Sequence, residues 1–205
     1  MPVLDTKKDL SALFSLQVQA TPDAAALEDE THTYTYTQLD QKVNDLAITL
    51  QSHGVKRDSL VGVLLPRSAD YVVACLAALR AGGAFLVLEL AYPPELLADV
   101  IEDAEPVVVV TYRAETGKIK EGTTVISLDE QSIATNGEVK ELTGVLPDHD
   151  LERLAFVAYS SGTTGKPKGI ANPHQAAVLS YDLRFGLSDL QPGDRVGANV
   201  FFVVS

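Results

Sequence analysis

The sequence contains little cysteine, little positive charge and no long apolar run, and each shortage excludes a class of protein. The single cysteine, Cys75, excludes an internal disulfide framework and a metal site built from several cysteines. Only 16 lysines and arginines stand against 28 acidic residues, and they form no basic cluster, so we expect no nucleic-acid partner. No run approaches the roughly 18 apolar residues of a membrane span, and the first residues lack a secretion signal. We therefore expect a cytoplasmic protein without a membrane partner.

Apolar segments of strand length recur along the chain. The composition, 46% hydrophobic and 21% charged, is typical of a globular protein. Strands are predicted at residues 33–36, 60–65, 84–88, 106–111 and 154–159. Because most of these segments are apolar at nearly every position, both of their faces should be covered. The sequence therefore predicts an α/β fold with a mainly parallel sheet and helices on both faces.

Amphipathic stretches between the strands predict helices. The first begins at Thr37, with Asp40 three residues later in an arrangement like a capping box. The second is capped by Ser68, and the third begins at Pro93, because proline is tolerated in the first turn of a helix. A further helix is predicted at about residues 173–185, after the last of the strands.

Two segments depart from this alternation. Residues 112–150 are rich in glycine, threonine and acidic side chains, and we interpret them as a surface excursion with an edge strand at 125–128. Residues 197–205 are apolar and read as a buried strand with no turn after it. Burying such side chains is worth roughly 1.5–3 kcal/mol each, so leaving them exposed is costly. We therefore expect residues 1–205 to be a fragment of a longer protein that ends within a strand.

The string YSSGTTGKPKG, residues 159–169, is the least ordinary stretch of the sequence. Its glycines can turn backbone N–H groups towards an anion, and its hydroxyl and lysine side chains add donors and positive charge. A solvated surface turn is the plain alternative. The phosphate-binding loop G-x-x-x-x-G-K-[ST] does not fit, because it needs glycine and a hydroxyl residue where this chain has Ser160 and Pro167. The dinucleotide-binding fingerprint G-x-G-x-x-G does not fit either, because the glycines of the string are three and four residues apart. A phosphate-loop NTPase or kinase is therefore disfavoured.

Within that string, SSGTTGKPKG closely resembles the signature loop of the adenylate-forming enzymes, the superfamily of AMP-dependent synthetases and ligases. Residues 35–50 and 64–111 are similar to the first two motifs of the nonribosomal peptide synthetase adenylation domains in that superfamily. One departure is that Glu89 and Leu90 stand where that branch usually has Asp-Pro. The resemblance covers nearly the whole chain. It implies the N-terminal part of an α/β core, without the family's separate C-terminal lid.

The resemblance implies an enzyme that joins a carboxylic or amino acid to ATP, forming an acyl adenylate and releasing pyrophosphate. ATP and Mg²⁺ are then required, and a phosphopantetheine thiol on a downstream carrier domain would accept the acyl group. The family's loop wraps the β- and γ-phosphates of ATP, and Thr164 is the candidate here for sharing the magnesium ion. This phosphate-binding role carries over to Ser160, Ser161, Gly162, Thr163, Thr164, Gly165, Lys166, Lys168 and Gly169. Lys166 occupies a position that varies within the motif.

The resemblance also suggests where the acid would bind. His174 stands where the family often has a histidine near the substrate pocket, although a packing role at a helix start is the plain alternative. The aspartate with which peptide synthetases pair the substrate's α-amino group would fall at or near Ser205, and residues 196–205 contain no aspartate. Either the chain ends too soon, or the substrate lacks a primary amine. The absence of a condensation domain upstream resembles fungal adenylation–thiolation–reductase proteins, which implies downstream carrier and reductase domains.

Two functions remain open at this point. The later motifs of the family, for adenine, ribose and the lid lysine, are missing from the sequence. Our first hypothesis is therefore an N-terminal fragment of an ATP-dependent carboxylate-activating enzyme that is inactive by itself. The alternative is a truncated, non-catalytic paralogue that binds a partner through its open sheet edge.

Overall fold

The computed structural model describes residues 4–30, 32–129, 142, 150–160, 167–189, 191 and 193–196. Its helices are α1 (Leu10–Ala20), α2 (Tyr36–Ser52), α3 (Ala69–Arg80), α4 (Pro94–Ala104) and α5 (His174–Leu187). Its strands are β1 (Ala25–Glu28), β2 (Thr33–Thr35), β3 (Leu60–Leu64), β4 (Ala84–Val87), β5 (Val108–Thr111), β6 (Val125–Ser127), β7 (Leu154–Ser160) and β8 (Lys168–Pro173). A short 3₁₀ helix covers Arg113–Lys118.

The main sheet has the strand order β6-β5-β3-β4-β7-β8. Parallel pairing joins β3 to β4 and β5, β5 to β6, and β4 to β7. Among these strands only β8, at one edge, runs antiparallel to its neighbour, β7. The other edge is β6, which is the edge strand predicted at 125–128. The predicted mainly parallel sheet is therefore confirmed, while β1 and β2 form a separate antiparallel hairpin.

Successive residues of the central strands face different helical layers. Val63 of β3 packs in a cluster with α2 and α3, whereas its neighbour Leu64 packs in a cluster with α4. In β5, Val108 and Val110 join the first cluster and Val109 joins the second. This alternation follows from the pleat of a strand, in which adjacent side chains point to opposite faces. Helices cover both faces of the sheet, as the apolar strand composition predicts.

Helices α1 and α5 complete the layer that holds α2 and α3. Helix α1 contacts α2, α3 and α5. A small apolar cluster joins these elements to β7 through Leu10, Leu79, Ala155 and Ala177. None of the helices that the structure describes has both the length and the apolar character needed to cross a membrane.

The start of α2 differs from the predicted one. Thr35 is the N-cap residue: its Oγ1 accepts from the backbone N–H of Gln38 at 3.2 Å, and Gln38 Oε1 accepts from the N–H of Thr35 at 2.9 Å. This is a complete capping box. Thr37 donates its hydroxyl to a carbonyl outside the helix, and Asp40 pairs with Arg80. The predicted box of Thr37 and Asp40 is wrong because both side chains have other partners.

Two other helix starts agree with the sequence. Ser68 Oγ accepts from the backbone N–H of Tyr71 at 3.3 Å and so caps α3. Helix α4 follows Pro93, with Pro94 as its first residue. A proline at that position loses no hydrogen bond, because the first N–H groups of a helix have no partner within the helix.

Four of the described elements have no counterpart in the sequence prediction: α1, β1, the 3₁₀ helix and β8. Helix α1 follows the N-cap residue Asp9, whose Oδ1 accepts from the backbone N–H of Ala12 at 2.9 Å. No residue of α1 is fully buried, so its apolar pattern is weak. Strand β8 lies between the glycine-rich loop and α5, and most of its residues are exposed. The strand predicted at 197–205 lies outside the described residues, as does most of 130–149, so the interpretation of 112–150 as an excursion stays a prediction.

Replacing Gly83 by alanine is expected to destabilise the fold. A Cβ atom at Gly83, between α3 and β4, would lie 2.6 Å from the carbonyl oxygen of Ser59 and 2.9 Å from a methyl group of Val55. Overpacking of this kind typically costs about 1–3 kcal/mol. Gly117→Ala is the matched control, because nothing lies within 4 Å of the added methyl group. The urea midpoint should fall for Gly83→Ala only, and equal midpoints for the two variants would contradict this packing.

Candidate functional site

The glycine-rich segment connects the two strands of an antiparallel hairpin. Its strands, β7 and β8, pair from Leu154 with Pro173 at one end to Ser160 with Lys168 at the other. The loop therefore leaves β7 at the carboxyl end of the parallel sheet. In open α/β sheets, ligands bind outside the carboxyl ends of the strands.

Of the residues predicted to bind phosphate, the structure describes three. Ser160 is the last residue of β7, and Lys168 and Gly169 are the first two of β8, where both are exposed. The hairpin thus brings Ser160 and Lys168 opposite each other. Seven further predicted site residues lie outside the described residues, and their roles stay predictions: Ser161, Gly162, Thr163, Thr164, Gly165, Lys166 and Ser205.

The loop end of the hairpin packs against the side chain of Tyr159. This side chain is only 7% exposed, and its hydroxyl donates to Asp103 Oδ2 of α4 at 2.5 Å. Gly169 pairs with Tyr159 across the hairpin, and a Cβ atom at Gly169 would lie 3.1–3.2 Å from the Tyr159 side chain. Burial and the nearby Asp103 carboxylate raise the pKa of Tyr159, so the hydroxyl remains a donor. Gly169 therefore serves a close backbone approach here, and sequence reasoning missed Tyr159 and Asp103.

His174 lies at the opposite end of the same hairpin. It is fully buried at the start of α5, where its Nδ1 accepts from the backbone N–H of Leu10 at 3.1 Å. Six residue steps of β7 separate this end from the loop end, which corresponds to about 20 Å. The contacts of His174 are those of a packing histidine. Its role in a substrate pocket stays a prediction, and its distance from the loop weighs against that role.

A buried ion pair lies beside His174. Arg153 Nη2 lies 2.6 Å from Asp9 Oδ2, and each side chain is 3% exposed. Arg153 also donates to the carbonyl of Leu79 at 3.2 Å, and Asp9 caps α1. The pair thus joins the N-cap of α1 to the residue that precedes β7. The sequence carried only a weak signal for it, an aspartate directly before an apolar helix.

The protonation of His174 follows from this setting. Burial, and then the positive charge of Arg153, lower the pKa of His174 to about 4, although Asp9 acts in the opposite direction. The imidazole is therefore neutral near pH 7. Neutral imidazole is what the hydrogen bond from Leu10 requires, because Nδ1 must be an acceptor.

The described residues at the ends of the loop offer hydrogen-bond donors and a positive charge rather than a set of metal ligands. Across the described ranges, no group of three or more His, Cys, Asp or Glu side chains could hold a metal ion. Ser160 and Lys168 instead offer a hydroxyl group and an ammonium group at the two ends of the loop. Such donors suit an anion, and a magnesium ion bound there would take most of its ligands from phosphate oxygens and water.

Comparison with known proteins decides the family. A model of the AMP-binding enzyme family matches residues 14–203. This chain belongs to the AMP-binding enzyme family. Its similarity to nonribosomal peptide synthetases confirms the branch: it is 35% identical over 173 residues to gramicidin S synthase 2 of Brevibacillus brevis, covering 84% of this chain and 4% of that protein.

A more similar relative is a fungal protein. The chain is 70% identical over 204 residues to a protein of Emericella nidulans named glycine betaine reductase ATRR. The match covers 99% of this chain but only 16% of the relative. This chain therefore spans a small part of the length of the curated relatives that it matches.

Solved structures of family members share the fold. The nonribosomal peptide synthetase FmoA3, bound to α-methyl-L-serine-AMP, superposes with a TM-score of 0.75 at 27% identity, covering 93% of this chain and 20% of that one. VinN superposes with a TM-score of 0.77 at 26% identity, covering 87% of this chain and 47% of that one. The predicted α/β core of an adenylate-forming protein is confirmed.

The buried state of His174 predicts a pH dependence of stability. Its pKa is about 4 in the folded protein and 6.5 for an ordinary histidine, so between these values the unfolded chain binds more protons. The free energy of unfolding should therefore fall as the pH is lowered from 6.5 to 4, by on the order of 1–3 kcal/mol from this group. Urea unfolding at several pH values measures it.

The variant His174→Gln separates this contribution from that of other groups. Glutamine can still accept a hydrogen bond but does not titrate, so the pH dependence should flatten across that window. His53→Gln, at the exposed end of α2, is the matched control and should keep the original dependence. An unchanged slope in His174→Gln would show that His174 is not the group responsible.

Proposed function

We propose that this chain is the N-terminal part of an ATP-dependent, AMP-forming ligase that converts a carboxylic acid into an acyl adenylate. The observation that carries the proposal is the β7–β8 hairpin, which brings Ser160 and Lys168 together at the carboxyl edge of the sheet in a member of the AMP-binding family. Residues 161–166 between them supply glycines, hydroxyls and a lysine. This is the composition that a triphosphate requires.

In this proposal the loop holds the β- and γ-phosphates while the carboxylate attacks the α-phosphorus. The backbone N–H groups of residues 161–165 would donate to phosphate oxygens, and Lys168 would neutralise charge on the leaving pyrophosphate. The Thr164 hydroxyl would be a ligand of Mg²⁺ together with phosphate oxygens, and the ion supplies further charge neutralisation when bound. Catalysis then depends on positioning and electrostatic stabilisation, with no covalent bond to the protein.

We further propose that the acid carries a quaternary nitrogen, as glycine betaine does. The fungal relative, 70% identical, bears the name glycine betaine reductase. A quaternary ammonium has no N–H group, so it needs no aspartate as a hydrogen-bond acceptor. The lack of aspartate in residues 196–205 fits such a substrate. A downstream carrier thiol would then receive the acyl group and release AMP. A reductase domain supplied with a hydride donor would reduce the thioester to an aldehyde and free the thiol.

Substrate-dependent ATP–pyrophosphate exchange tests this proposal. The protein extended through the region that follows residue 205, called here the extended protein, should exchange pyrophosphate with glycine betaine at least about tenfold faster than with glycine. A tenfold difference corresponds to about 1.4 kcal/mol of transition-state binding. Residues 1–205 alone should give no exchange. Robust exchange by residues 1–205, or a preference for glycine, would contradict the proposal.

A second assay addresses the loop itself. In the extended protein, Lys168→Ala should lower kcat/KM for ATP by roughly a hundredfold, because it removes a cation from the developing charge on pyrophosphate. Lys56→Ala is the matched control. Lys56 is also exposed, but it precedes β3 and so lies at the amino ends of the parallel strands, opposite to the loop. Equal effects of the two substitutions on kcat/KM would show that Lys168 does not contribute to the ATP site.

The alternative function is a non-catalytic module that binds a partner. Its support is the exposed apolar face of α5, where Leu179, Leu183 and Leu187 are 52%, 64% and 80% exposed. These residues are four apart, so they lie on one side of the helix. Capture of a full-length homologue by residues 1–205 would favour this alternative. ATP–pyrophosphate exchange by the extended protein, together with burial of the α5 face inside that protein, would favour the enzyme.

A further inference from the structure

We propose that Tyr159 and Asp103 are positioning residues that anchor the phosphate loop to α4. The inference rests on the proposed function, because it assigns a task to residues that touch the loop strands but not the phosphates. Asp103 lies outside the string at residues 159–169, and Tyr159, the first residue of that string, is not among those predicted to bind phosphate. Their contacts nevertheless decide where the two ends of that loop lie.

The contact between Tyr159 and Gly169 fixes the two strands to each other. Tyr159 immediately precedes Ser160, and Gly169 immediately follows Lys168, so this is the register pair next to the end of the hairpin. A Cβ atom at Gly169 would lie within 3.1–3.2 Å of three atoms at the outer end of the tyrosine, including the hydroxyl oxygen. The tyrosine therefore extends along the hairpin beneath Gly169 and supports both strands.

The hydrogen bond to Asp103 fixes this hairpin end to the rest of the protein. Asp103 lies in the last turn of α4, whose inner face is buried through Leu97, Val100 and Ile101. Tyr159 belongs to the same apolar cluster. A short hydrogen bond from a hydroxyl group to a carboxylate is among the stronger neutral-to-charged contacts. Helix α4 therefore acts as a fixed base for the strand ends from which the loop begins.

Fixed strand ends favour phosphate binding because Ser160 and Lys168 are then held opposite each other before the phosphate arrives. A flexible connection whose ends move must be ordered on binding, and that ordering lowers affinity. Loss of the anchor should therefore weaken phosphate binding without removing any phosphate ligand. It should also loosen the backbone at residues 160 and 168 more than elsewhere in the sheet.

The test compares two tyrosine–aspartate hydrogen bonds in the extended protein. Tyr159→Phe keeps the ring against Gly169 but removes the bond to Asp103. Its matched control is Tyr112→Phe, because Tyr112 donates to Asp70 Oδ2 at 2.8 Å and packs with the α2 and α3 cluster, away from the hairpin. Calorimetric titration with magnesium pyrophosphate measures affinity, and hydrogen exchange measures the protection of the amides of residues 160 and 168.

For Tyr159→Phe we expect about a tenfold weaker Kd for magnesium pyrophosphate and faster exchange at both amides, with Tyr112→Phe near the wild type in both measurements. Asp103→Asn, which retains an acceptor and leaves the core untouched, should fall in between. Equal behaviour of Tyr159→Phe and Tyr112→Phe would overturn the inference. If the wild type bound no pyrophosphate, the proposed function would fail instead, while the exchange rates would still support or overturn the anchor. General loss of protection in Tyr159→Phe would leave Asp103→Asn as the deciding variant.

Discussion

The antiparallel pairing of β7 with β8 is the constraint on which the candidate site depends. The strands before β8 in the main sheet are parallel, so the chain ordinarily leaves each strand at the carboxyl edge and crosses over a helix. At β7 it turns straight back. The register then holds Ser160 and Lys168 one strand spacing apart, about 4.8 Å between backbones. The segment 161–167 therefore begins and ends at points one strand spacing apart, which supports the proposal that it binds an anion.

Each end of this hairpin is attached to a different helix by a different kind of contact. At the loop end, the tyrosine hydroxyl bonds to α4 at the edge of an apolar cluster. At the other end, the pair of Arg153 and Asp9 is buried, and taking two charges out of water costs several kcal/mol per ion. Their attraction and their additional hydrogen bonds offset that cost. A buried pair of this kind is weak evidence for net stability, but it attaches the start of α1 to the residue before β7.

The sequence predicted most of the fold because the central strands are buried on both faces and therefore apolar throughout. The sequence prediction failed for elements with few buried residues, because these show no clear apolar periodicity. Strand β8 is an exposed edge strand with the sequence KGIANP, so neither alternation nor an apolar run marks it. In α1 no residue is fully buried, so its helical periodicity is weak. The capping box of α2 was misplaced by two residues, although Thr35 with Gln38 fits the rule of Glu or Gln three residues after the cap, and Thr37 with Asp40 does not.

The candidate site shows the same division between local and long-range information. The composition of residues 160–169 indicated phosphate binding, since it depends on residue types close together in sequence. The anchor did not emerge, because Tyr159 and Asp103 are 56 residues apart and meet only in the folded sheet. Gly169 was predicted for the same role as the other glycines of the motif, but in the structure it lies in a strand and is small so that a tyrosine can approach. The roles of Gly162 and Gly165 stay predictions.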